Sequence, residues 1–199
     1  MRLPLLLAAA MIALPGVATA QHAGHHQAAD PIAAALAAPS RTPKNVERDR
    51  YRHPAETLAF FGVTPTQTVV EYSPMGGWYT EVLAPLLRDK GLFYALQPSG
   101  RYVDGYKAFL AEKPQVYDKT KLVLFPEETG TIAPGSVDTV LTFRNVHNMV
   151  MAGNEAAVFK AFFDMLKPGG TLGVVDHRLP EDRDTALEKS SGYLKVSTI

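Results

Sequence analysis

The chain has 199 residues, 20 Lys and Arg against 20 Asp and Glu, six His and no Cys. That length holds one domain with a sizeable core, and a formal net charge of zero gives no bulk electrostatic case for nucleic-acid binding. A hydrophobic fraction of 46% with 20% charged residues excludes disordered, collagen-like and coiled-coil chains, while the absence of Cys excludes disulfides, thiolate zinc sites and iron–sulfur clusters.

Residues 1–20 read as a secretory signal peptide. Arg2 gives a short positive start, Leu3 to Leu14 is apolar apart from Pro4, and Pro15-Gly16 breaks the run. Ala18-Thr19-Ala20 supplies the small residues of a cleavage site, so Gln21 is the expected mature N terminus. The apolar run is shorter than the roughly 20 residues a bilayer span needs, so no stable membrane anchor is expected after cleavage. The expected location is across the inner membrane, in the periplasm. Residues 21–45 read as a flexible His-, Ala- and Pro-rich linker. His22, His25 and His26 attract transition metals only weakly without an ordered second shell, so no dedicated metal site is expected. Ile32 to Ala38 fits a short helix.

Residues 46–199 read as one domain of alternating helices and strands. Pro54 to Phe61 is a short helix, opened by Pro54 and closed by Gly62. Thr68 to Tyr72 is a β-branched run suited to a buried strand. Gly76-Gly77 turns into a helix over Trp78–Arg88, with Pro85 expected to bend it. Leu92 to Leu96 is a second strand, and Arg101 to Ala111 a helix with Tyr102, Tyr106, Phe109 and Leu110 at helical spacing. Lys121 to Phe125 and Ser136 to Phe143 are further strands. Asn154 opens a helix carrying Val158, Phe162, Met165 and Leu166, and Pro168-Gly169-Gly170 turns it into a fifth strand, Thr171 to Asp176. Strands alternating with helices imply a doubly wound parallel α/β sheet covered on both faces.

In such a sheet, ligands bind beyond the carboxyl ends of the strands. Every one of those ends carries polar residues here: Glu71 to Gly77, Gln97-Pro98, Pro126-Glu127-Glu128, Arg144 to Asn148, and Asp176-His177-Arg178. An acidic residue, a glycine turn and a helix start make a nucleotide-binding arrangement, because glycine admits a close ligand and free amides favour polar groups. Taken singly, Gly76-Gly77 also fits an ordinary tight turn, and a lone His is more often structural than catalytic.

The sequence resembles the class I S-adenosylmethionine-dependent methyltransferases, and more closely a group of predicted methyltransferases with signal peptides. The resemblance rests on Arg48 to Leu58, Gly76 to Glu81, Thr142 to Asn148 and Leu166 to His177, and spans about residues 46–193. It implies a Rossmann-like sheet of order 3-2-1-4-5. It also implies S-adenosylmethionine as cofactor, bound by Glu71, Gly76, Gly77, Gln97 and Asn145. His147 and His177 are the implied catalytic residues, with Arg52 and His53 beside them at the acceptor pocket. The sheet of that family usually continues with a helix and an antiparallel pair of strands, and neither is expected after Tyr193.

Departures from the family pattern matter too. Ser73 and Met75 stand where glycine is usual, and Gln97 stands where an acid usually holds both ribose hydroxyls. Two functions follow: methyl transfer to an unidentified small-molecule acceptor, or a catalytically inactive methyltransferase-like binding protein of the cell envelope. The cofactor is expected to bind weakly. Glu71, Gly77, Gln97, Asn145 and His177 are expected to border one cavity. Residues 171–176 are expected to form an apolar edge strand open to self-association.

Overall fold

The structure, a computed structural model, describes residues 30–199; the expected signal peptide and the His22, His25 and His26 tract lie outside the described residues. Four short helices come first: α1 (Pro31–Leu36), α2 (Pro43–Val46), α3 (Asp49–Arg52) and α4 (Pro54–Phe60). Proline opens α1, α2 and α4, where its missing N–H costs no helical bond. Then come β1 (Thr68–Tyr72), α5 (Thr80–Leu87), β2 (Leu92–Pro98), α6 (Val103–Glu112), α7 (Pro114–Tyr117), β3 (Lys121–Phe125), β4 (Val137–Phe143), α8 (Val146–Ala152), α9 (Glu155–Met165) and β5 (Leu166–Val175).

The five strands form one parallel sheet in the expected order, β3-β2-β1-β4-β5. Alternate residues of β1 feed opposite faces. Val69 packs with Leu58, Leu83 and Tyr106 from α4, α5 and α6. Val70 packs with Met149 and Phe162 from α8 and α9. Each fully buried Leu, Val or Phe contributes roughly 1.5–3 kcal/mol by leaving water. Helices on both faces expose the strand ends, and only those ends remain for a ligand.

Three stretches differ from expectation. Strand β5 begins at Leu166, not Thr171, because Leu166 pairs with Val137 before the register shifts and Thr171 pairs with Thr139. The Lys167–Gly170 turn is thus an irregularity within the strand. Residues 146–152 form α8, ended by Gly153 in the left-handed region. Residues 30–45, expected as linker, are packed on the domain: Ile32 and Ala35 are buried in the α4–α5 layer. Arg41 there is 4% exposed and pairs with Asp49, while the Thr42 amide and hydroxyl donate to Glu81. Among the described residues β5 pairs with β4 alone, and Leu172 and Val174 are half-buried. No helix of the described residues is long and apolar enough to cross a membrane.

Candidate functional site

Three adjoining cavities run along the carboxyl ends of the strands. The first, of about 400 Å³, lies over β1 and β2 and is lined by Ser73, Met75, Gln97, Tyr102 and Asn145. The second, of about 350 Å³, shares Ser73, Met75 and Asn145 with it and adds Glu71, Gly76 and His147. The third, of about 320 Å³, adjoins the second across Arg48, Arg52, Tyr79, Phe143 and Arg144, and adds His177. A fourth cavity, of about 290 Å³, lies by Leu92 and Lys121 at the opposite ends of β2 and β3, away from this groove.

The expectation of one shared cavity is therefore corrected. Glu71 and Asn145 share the second, Gln97 and Asn145 the first, and His177 lines the third. Gly77 lines none of these cavities. A Cβ there would lie 2.4 Å from the Phe109 ring, so glycine is needed for packing on α6 and for its φ of 73°. Gly76 faces the groove instead: it lines the second cavity, and nothing lies within 4 Å of where its Cβ would be. His53 lines none of these cavities either; its ring is exposed, 3.7 Å from Glu56.

The turn after β1 explains the substitutions. Ser73, Met75 and Gly77 all have positive φ, at 55°, 54° and 73°. The backbone keeps the left-handed shape of a glycine turn at two positions that carry side chains, at a cost of roughly 1–2 kcal/mol each. Such strain persists where surrounding structure holds it, and it concentrates at functional sites. Gln97 supplies part of that support. It is fully buried, its Oε1 accepts from the Met75 amide at 3.3 Å, and its Nε2 donates to the Pro98 carbonyl. Asn145 braces the other side: its Nδ2 donates to the carbonyls of Tyr72 and Phe143, tying β1 to β4.

Glu71, the penultimate residue of β1, is 4% exposed. Burial pushes its carboxyl from 4.5 up to about 8, opposed by a hydrogen bond from Thr80 and by the nearby Arg52 charge. The Thr80 hydroxyl donates to Glu71 Oε2 at 3.2 Å and also meets Tyr106 Oη. An uncharged carboxyl in a cavity is poised to ionise when a cation arrives.

The two histidines differ. His147 Nδ1 lies 2.7 Å from Asp176 Oδ1, and its backbone amide donates to Oδ2 of the same carboxylate. A carboxylate accepts, so Nδ1 carries the proton and Nε2 is left as an acceptor. His177 Nε2 instead accepts from Arg144 Nε at 2.7 Å, and its ring stacks on Tyr193. Burial and the Arg144 charge lower the His177 pKa, which keeps that acceptor lone pair available. Sequence reading named Asp176 at the rim without its role. The signal was there in part: in this strand order the ends of β4 and β5 are neighbours, which brings the residues that follow them close together.

No protein-family model matches the sequence, and no curated protein matches it. Solved structures do match in fold. A SAM-dependent methyltransferase from Aquifex aeolicus superposes with TM-score 0.56 at 20% identity, over 78% of this chain and 77% of its own. An arsenic(III) S-adenosylmethionine methyltransferase from Chlamydomonas reinhardtii gives TM-score 0.57 at 15% identity, over 85% of this chain and 58% of its own. Coclaurine N-methyltransferase bound to N-methylheliamine and SAH gives 0.50 at 15%, over 76% and 43%. At such identities the likeness is one of fold: this chain has the sheet and helix order of these methyltransferases.

Proposed function

We propose that this protein is an S-adenosylmethionine-dependent methyltransferase acting on a small molecule. The observation that carries the reading is the turn after β1. It holds the left-handed backbone of a glycine loop at Ser73, Met75 and Gly77, beside a buried Glu71 and over adjoining cavities. Gly76 lines the second cavity and puts no side chain into it, which fits a cofactor passing there. When bound, S-adenosylmethionine supplies an electrophilic methyl group on a sulfonium. The first cavity, with Gln97 and Tyr102, suits the adenosine portion, and the second suits the methionine portion.

This chain's residues then position and deprotonate. Glu71 gains its charge beside a cationic ligand and holds it. Asn145 ties the ends of β1 and β4 together and so fixes the floor of the groove. His147, oriented by Asp176, accepts the acceptor's proton at Nε2. His177 holds Arg144 and acts as a positioning residue. Most of the acceleration then comes from proximity and alignment. The signal-peptide pattern of residues 1–20 supports action in the periplasm.

Calorimetry with S-adenosylhomocysteine tests the reading. Saturable binding, weakened in a Gly76→Leu variant that fills the groove, is expected. A folded protein that shows no binding at millimolar ligand refutes it.

A further inference from the structure

The third cavity carries more positive charge than the fold needs. Arg48 and Arg52 stand one turn apart at α3, and Arg144 follows β4 on the opposite wall. Among the described residues none of the three makes an ion pair with a carboxylate. Residues 1–29 contain no Asp or Glu to supply one. Nearby acids are engaged elsewhere: Asp49 with Arg41, Glu56 near His53, and Asp176 with His147. Glu71 holds a proton near neutral pH. The three guanidinium groups repel one another, and the charges of Arg48 and Arg144 lower the Arg52 pKa, after burial. Such a cluster costs stability unless an anion offsets it.

Its surroundings narrow the chemistry. Tyr79 and Phe143 stack with ring centroids 3.6 Å apart and form one wall of the cavity, with Tyr51 and Val175 also lining it. Arg144 sits at φ 61°, a strained conformation for a side chain with a Cβ, and is held by His177. A planar guanidinium fork suits the two oxygens of a carboxylate, and the aromatic wall suits an apolar body. We infer that the third cavity is the acceptor pocket and that Arg48, Arg52 and Arg144 bind the oxyanion of an aromatic or apolar carboxylate. This rests on the methyl-transfer reading for the word acceptor; the anion site itself does not.

A built-in reporter makes the test direct. The chain has one Trp, Trp78, and the Arg52 guanidinium lies 4.5 Å from its ring centroid. Benzoate is titrated against its neutral isostere benzamide, by calorimetry and Trp78 fluorescence. The protein is used unaltered and as Arg48→Gln and Arg144→Gln variants, both at exposed positions, with circular dichroism to confirm folding. S-Adenosylhomocysteine is titrated in parallel. Benzoate is expected to bind and benzamide not, each variant weakening benzoate roughly tenfold to a hundredfold and S-adenosylhomocysteine, whose cavity the same arginines border, markedly less. Parallel loss of S-adenosylhomocysteine affinity in the variants would assign the arginines to the cofactor carboxylate and overturn the inference. Binding of S-adenosylhomocysteine without benzoate overturns it and leaves methyl transfer standing. Binding of benzoate alone keeps the anion site and overturns methyl transfer; binding of neither overturns both.

Discussion

Replacing Glu71 with Gln should raise stability at alkaline pH and lower it, or leave it unchanged, at acidic pH. In the folded chain the carboxyl titrates at about 8, against 4.5 when unperturbed. Between those values the folded state holds a proton that the unfolded state has released. Stability from this group is therefore full below pH 4.5 and falls as pH rises towards about 8. The loss is on the order of 5 kcal/mol at and above pH 8, and about 3 kcal/mol at pH 7. The substituted amide would not titrate, and its carbonyl still accepts from Thr80. Its N–H groups enter a buried site, offsetting about 1–3 kcal/mol. The Glu71→Gln variant should thus gain about 2–4 kcal/mol at pH 8, and its stability curve should cross that of the parent at about pH 5–7. Urea unfolding from pH 5 to pH 9, followed by circular dichroism, measures both curves. Parallel curves, or a variant less stable throughout, would refute the assignment of a buried protonated carboxyl. The same variant should bind S-adenosylhomocysteine less tightly at pH 8, because a neutral amide cannot hold the ligand's ammonium group.

The Asp176–His147 pair predicts that nitrogen-15 NMR finds His147 protonated on Nδ1, and that Asp176→Asn abolishes that preference. With any acceptor that is turned over, His147→Ala should lower kcat roughly 10²–10⁴-fold, on top of the fall in Tm that unpairing the buried Asp176 carboxylate brings; a fall in Tm at unchanged kcat would mark it as structural. Ser73→Gly and Met75→Gly should each stabilise by about 1 kcal/mol in thermal unfolding, since the backbone is already left-handed there. Met75→Gly should also tighten S-adenosylhomocysteine binding by clearing the border between the first two cavities. Gln97→Asp should improve that affinity about tenfold by offering a charged acceptor; lower affinity with a lower Tm would show that bracing the Met75 amide matters more. Asp49→Ala should cost about 3–5 kcal/mol, because it strands the buried Arg41 guanidinium, and chemical unfolding reads that loss.

Sequence alone placed four of the five strand starts to within one residue, and the family resemblance implied their order. Runs such as Thr68 to Tyr72 and Lys121 to Phe125 are mostly β-branched or apolar, with polar residues beside them and Pro74 or Pro126 just beyond, so their limits follow from local chemistry. Once strands alternate with helices, right-handed crossovers leave few sheets, and the polar residues of the strand ends must gather at one edge. Helix α8 escaped because its seven residues lack a clear apolar period, and residues 30–45 escaped because their partners, α4 and α5, lie elsewhere in the chain. The site divides in the same way. Glu71, Gln97, Asn145, His147 and His177 were legible as polar residues at or just beyond strand ends. What each does was not. Burial neutralises Glu71, a Met75 amide occupies Gln97, a carboxylate frees one nitrogen of His147, and an arginine occupies the other histidine. Desolvation and hydrogen-bond partners depend on groups far apart in sequence, and only the packed chain brings them together.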